Sequence, residues 1–139
     1  MKRRRGREYV LQLLFQFDFT GRRPERKDFD EFWEERNEDI DVRKFTENIV
    51  NGTLSNIQEI DSELQNVAEH WVLERMAVVD RNILRGAIYE LLYRPDIPST
   101  VTINEAIEIA KKYSTQESAF FINGILDSIA KGIVGRRAR

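Results

Sequence analysis

Along this chain apolar residues recur at the spacing of a helix almost from end to end, and no stretch alternates with the short period that a half-buried strand requires. Stripes written this way can be buried only helix against helix, so the fold class is all-α, a compact bundle of about seven helices. The 139 residues suffice for one domain with its own core and leave no room for a second, catalytic one. With 33% of residues charged and 41% apolar, the balance is that of a globular chain rather than a disordered one. There is no cysteine and one histidine, His70, which excludes disulfides, thiolate metal sites, cysteine nucleophiles and histidine clusters. His70 itself, without catalytic partners, reads as a surface or boundary residue.

The pattern predicts a first helix from about Arg5 to Thr20, apolar on two adjoining faces and closed by Gly21. Phe29, Phe32 and Trp33 then mark a short amphipathic helix within the acidic segment Glu25 to Asp41. From Val42 to Val67 the spacing predicts one long helix, with Gly52 as a bend or a point of close packing. A helical turn over Trp71 to Met76 leads into a helix from about Ala77 to Tyr93, its inward residues Val79, Ile83, Leu84, Ala87 and Leu91. Pro95 and Pro98 force a loop. Thr102 with Glu105, and Ser114 with Glu117, have the spacing of capping boxes for two more helices. The last is expected to stop at Gly132, leaving a disordered arginine tail from Gly135 to Arg139.

Net charge is only −2, yet the chain opens Lys2-Arg3-Arg4-Arg5-Gly6-Arg7. Local charge decides whether a polyanion is held, because each arginine that neutralises a phosphate releases condensed counterions. Arg3, Arg7, Leu11 and Phe15 follow one another four apart, so a single helix ridge carries arginine into aromatic surface. Cations for phosphates beside a ring for an unpaired base suit single-stranded RNA. The competing reading is a solvated basic terminus on a helical adaptor. Phe120 and Phe121, being adjacent, point in different directions: Phe120 is read as core and Phe121 as the ring left available. Arg81, Arg85, Glu90 and Glu105 stand among core positions and are read as a structural charge network. Asp80 either caps a helix or faces a partner.

A signal peptide is excluded by Gln12, Gln16 and Asp18 within the first apolar stretch and by the charged segment after it. No stretch approaches the ~20 apolar residues of a membrane span, so a cytoplasmic protein without membrane contact is expected. Gly-rich phosphate loops, Gly-x-Ser-x-Gly elbows and His-Glu-x-x-His helices are absent; the reading is of a protein that is not an enzyme and takes no cofactor or metal.

Four strings in order, Arg3-Arg4-Arg5-x-Arg7-Glu8, Asp80-Arg81-x-Ile83-Leu84-Arg85-x-Ala87-x-Tyr89-Glu90-Leu91, Ile103-Asn104-Glu105-Ala106-x-Glu108-x-Ala110-Lys111 and Phe121-Ile122-Asn123-Gly124-x-Leu126-Asp127, resemble the NusB transcription antitermination factor family. The resemblance covers essentially the whole chain. It implies two small helical subdomains, about 1–70 and 71–134, with the break near Val67 to Met76. It also implies binding of boxA RNA in nascent ribosomal transcripts together with the small-subunit ribosomal protein NusE, in an assembly that reaches RNA polymerase and other Nus factors. By match to the family, Lys2, Arg3, Arg4, Arg5 and Arg7 would contact RNA, Phe15 would stack where the family often has tyrosine, Phe121 would contact RNA and Glu117 would tune the affinity. Asp80 and Glu74 match acidic positions on the ribosomal-protein face. A NusB-like domain also occurs fused to RNA methyltransferases, but the glycine-rich cofactor motif and the catalytic cysteine are missing here. A surface that awaits a partner also admits a homodimer.

Overall fold

A computed structural model of the chain describes residues 2–68 and 75–137. Among them are seven helices and no strand: α1 (Lys2–Thr20), α2 (Arg26–Glu34), α3 (Ile40–Ser55), α4 (Ile57–Val67), α5 (Val78–Tyr93), α6 (Ser99–Tyr113) and α7 (Gln116–Arg137). The Glu74 and His70 expectations, and most of the Trp71 to Met76 turn, lie outside the described residues. No described helix is long and apolar enough to cross a membrane.

The helix enclosed on most sides is α5, which packs against α1, α3, α4, α6 and α7 and buries every residue from Asn82 to Leu91. Antiparallel to it runs α1, whose Val10 and Leu14 meet the Gly86 backbone. The two apolar faces of α1 have neighbours on both sides, α3 and α5. Gly21, at φ 67°, ends α1 by donating its N–H to Phe17 O at 2.8 Å. Phe29, Phe32 and Trp33 bury the inner face of α2, with Tyr9 set edge-on to both Phe32 and Trp33.

Several helix ends differ from the sequence expectation, each for a local reason. The predicted long helix breaks at Asn56, whose backbone leaves the helical region at φ −120° and ψ 22°; its side-chain amide joins its own N–H on Gly52 O, at 2.8 and 3.2 Å, and so holds the end of α3. Gly52 is the close-packing point and not the bend: a Cβ there would lie 2.1 Å from Tyr89 Cζ. Helix α6 starts three residues before Thr102, directly after Pro98, and the predicted capping pair turns inward instead: Thr102 Oγ1 donates to Glu90 at 2.9 Å and Glu105 pairs with Arg4. At α7 the cap is one residue later than predicted, Thr115 Oγ1 accepting the Ser118 N–H at 2.9 Å. That helix runs through Gly132 to Arg137, because Ile133 is buried and Arg136 pairs with Glu63 at 2.7 Å.

Candidate nucleic-acid interface

Helix α1 begins three residues earlier than the apolar pattern suggests, so the basic block is helical rather than a loose tail. Cations in a first turn oppose the helix dipole, and α1 has no acid of its own there. Acids from elsewhere compensate. Lys2 pairs with Asp39 at 3.0 Å, Arg5 forks onto Glu38 at 2.9 and 3.2 Å, and Arg4 pairs with Glu105 of α6. The Arg5 bond outweighs partial burial and holds the Glu38 carboxyl below its ordinary range, helped by the Tyr9 hydroxyl at 2.6 Å.

Arg7, expected among the RNA contacts, is a core residue, only 7% exposed. Its Nε and Nη2 donate to Glu90 at 2.9 and 2.8 Å and its Nη1 lies 4.0 Å from Glu105, so the guanidinium is turned inward onto two acids of the protein itself. The spacing that put Arg3 and Arg7 on one ridge is right, but that ridge rolls under α3: their guanidiniums lie 5.0 and 5.3 Å from the Phe45 ring centre. Arg3 itself remains exposed.

Further along α1, half-buried Phe15 lies 5.0 Å from Phe19, which is 73% exposed. Phe19 continues the four-residue ridge of Arg3, Arg7, Leu11 and Phe15, and that spacing is the signal by which it was legible. Tyr113 carried no such signal. It is 43% exposed at the end of α6, where its hydroxyl donates to Glu8, with Lys112 Nζ on the same carboxylate at 2.8 Å. Burial works to raise the Glu8 pKa, but these two donors outweigh it and hold the carboxyl below its ordinary value. Glu8 and Phe15 are two turns apart on one face of α1. Tyr113, Phe15 and Phe19 are thus brought to the same side of this helix.

At the start of α7 the two phenylalanines are assigned in reverse of part of the expectation. Phe120 is 71% exposed and not core, because Ala119, Ile122, Leu126, Ile129 and Ile133 occupy the inward stripe. Phe121 is half-buried against the core and lines a cavity of about 300 Å³ with Met76, Ala77, Asp80, Glu117 and Ser118. Glu117 is exposed. Asp80 is 7% exposed and accepts hydrogen bonds from the Ser114 and Ser118 hydroxyls, each at 2.7 Å. Asp80 makes no capping bond: α5 starts after Ala77 without a side-chain cap, and Asp80 is an acid in its first turn that ties the start of α7 to it. The charge network read at α5 is structural: Arg85 forks onto Asp61 at 2.8 and 2.9 Å, and Asp18 accepts from Asn82 at 2.6 Å and pairs with Arg81 and Arg85 at 3.0 and 3.1 Å.

The family model described as "NusB family" matches residues 4–131. A transcription antitermination protein NusB from Thermodesulfovibrio yellowstonii is 49% identical over 140 residues, covering 94% of this chain and 93% of its own. Among solved structures, T. maritima NusB is 44% identical with a TM-score of 0.78, over 93% of this chain and 90% of that one. A NusB solved with NusE in complex with dsRNA matches at TM-score 0.83 and 26% identity, over 94% of this chain and 97% of its own. With the family model matching from residue 4 to residue 131 and a relative that shares about half of its residues over nearly the whole length of both chains, the chain belongs to the NusB family.

Proposed function

We propose that this protein is an antitermination factor that binds the boxA RNA of nascent ribosomal transcripts together with the ribosomal protein NusE, and so promotes assembly of the antitermination complex on RNA polymerase. The observation that carries this reading is the likeness, over nearly the whole chain, to a NusB solved with NusE and RNA. The reading is of a binding protein of the cytoplasm and not of an enzyme: affinity comes from charge, and discrimination from rings and the partner. Lys2, Arg3, Arg4 and Arg5 are proposed as phosphate contacts, Arg3 first among them because it is exposed and free of carboxylate pairing. Phe15 and Phe121 are proposed to stack on bases, with Glu117 beside Phe121 setting the local repulsion of phosphate. Asp80 would act on the partner face through the α5–α7 junction it ties, rather than by direct contact. Residues about 1–70 and 71–134 are proposed as two subdomains joined through α5.

The internal pairing of Lys2, Arg4 and Arg5 favours one second reading, a helical adaptor with only non-specific RNA affinity. Titration of the purified protein with single-stranded boxA RNA, its duplex and a scrambled strand, with and without NusE, at two salt concentrations separates the two. Selective binding of boxA, tightened by NusE, is expected. In the same titration Phe15→Ala or Phe121→Ala is expected to lose about 1–3 kcal/mol per stack with folding intact. Equal, salt-sensitive binding of every RNA in all mixtures would instead establish the adaptor.

A further inference from the structure

Beside the first turn of α1 runs an open groove of about 590 Å³, walled by Lys2 and Arg3, by Lys44, Phe45 and Asn48 of α3, and by Arg94 just past the end of α5. One acid, Asp41, shares the wall. Two of the four cations are already compensated: Lys2 by Asp39, and Arg94 by Asp96, which it meets with two bonds at 2.9 Å while a third, also at 2.9 Å, goes to Asn48. Arg94 is therefore a fixed wall. Arg3 and Lys44 are both exposed, and among the described residues neither makes a salt bridge. The groove thus holds, on facing helices, two cations without a salt bridge, Arg3 meeting the charge of Asp96 only at longer range. Its one aromatic ring, Phe45, is 8% exposed and covered by the guanidiniums of Arg3, Arg7 and Arg94, so it has no face on which a base could stack.

Cations without a stacking surface hold phosphates and read no sequence. We propose that this groove takes the phosphodiester backbone of the RNA strand beyond the segment read along α1, with Arg3 and Lys44 each neutralising a phosphate. The inference rests on the RNA-binding reading above and adds to it a sequence-independent track that leaves the start of α1 across α3. An acidic protein segment would meet the same charges, but the two apolar side chains in the groove wall, Val42 and Phe45, are already buried, so it would find no apolar side chain there to dock against. A strand already anchored on α1 needs none.

The test compares the core boxA RNA with the same RNA extended by about six nucleotides on its 5′ or 3′ side, long enough to reach a neighbouring site. Wild type and Lys44→Ala are titrated with each, at 50 and 200 mM salt. Lys44 is exposed and sits in the second turn of α3, so alanine leaves the fold intact. The wild type is expected to bind one extended RNA severalfold more tightly than the core, whatever the added sequence. Lys44→Ala is expected to bind the core unchanged and to lose most of that advantage. Its salt slope on the extended RNA falls by about 0.7, so that this contact's threefold weakening between the two salts disappears. No gain from either extension in the wild type, or an equal loss on core and extended RNA in the variant, overturns the proposal. So does a variant that binds all RNAs normally but NusE more weakly, which would assign the groove to an acidic segment of the protein partner. Failure of the wild type to distinguish core boxA from a scrambled core falls on the RNA-recognition reading and is seen without the variant.

Discussion

Arg7 and Glu90 are 7% and 3% exposed, and a charge so placed persists only while its partner does. Glu90 accepts two bonds from Arg7 and one from the Thr102 hydroxyl, which joins α1, α5 and α6 at one carboxylate. Removing the arginine leaves that carboxylate buried with a single neutral donor. Arg7→Ala is expected to lower unfolding free energy by about 3–5 kcal/mol in urea titration, whereas Arg3→Ala, at an exposed site, shifts it by less than about 0.5 kcal/mol. Unchanged stability in Arg7→Ala would refute the structural role. Any loss of RNA binding by that variant is thus an effect of folding, while loss in Arg3→Ala reports contact. In sequence the two arginines are equivalent members of one basic run; what distinguishes them is that Arg7 faces α5 and Arg3 faces the groove beside α3.

Between elements, the contact of α3 with α5 at Gly52 sets two effects against each other. Alanine gains about 1 kcal/mol over glycine inside a helix. A Cβ at Gly52, however, would lie 2.1 and 2.3 Å from Tyr89 Cζ and Cε1, and Tyr89 is itself buried and stacked on Tyr93. Overpacking of this kind costs about 1–3 kcal/mol or more, so Gly52→Ala is expected to be destabilising on balance, by a lowered denaturation midpoint. A raised midpoint would show that Tyr89 moves aside freely. The helix ends make the same point about legibility. Gly21 was readable because its turn needs only its own backbone. The Thr102–Glu105 spacing misled because a cap and a buried hydrogen-bonding pair use the same residue types, and the nearness of Glu90 and Arg4 decided between them.

At the scale of the whole molecule, Asp18, Asp61 and Arg85 bind α1, α4 and α5 together through charge. Burial works to raise the Asp18 pKa, but hydrogen bonds from Asn82 and Arg81 and the Arg85 charge outweigh it, and the carboxyl is held below its ordinary value. Burial likewise works against the Arg85 charge, which Asp61 and Asp18 nonetheless hold above its usual pKa. A carboxyl depressed on folding contributes stability that is present above its unfolded pKa of about 3.9 and is lost as pH falls through the lower, folded value. Asp18→Asn is therefore expected to be about 1–3 kcal/mol less stable than wild type at pH 7, with the gap narrowing below about pH 4. Denaturant titrations from pH 7 to pH 3 read this directly. A gap that does not change with pH would remove Asp18 from the acid response.

The all-helical class, the approximate helices and most of their inward faces are legible along the chain, because they follow from the spacing of apolar residues over a few turns. It also carried the family, through the order of motifs along nearly the whole chain. Packing between distant elements settles the rest: which cation of the basic start is buried, that Phe120 is outside, that Asp80 answers two serines, and that Lys44 stands across a groove from Arg3. Each of these depends on which side chain a distant element brings within a few ångströms, and charge and hydrogen bonding act over that distance rather than along the chain.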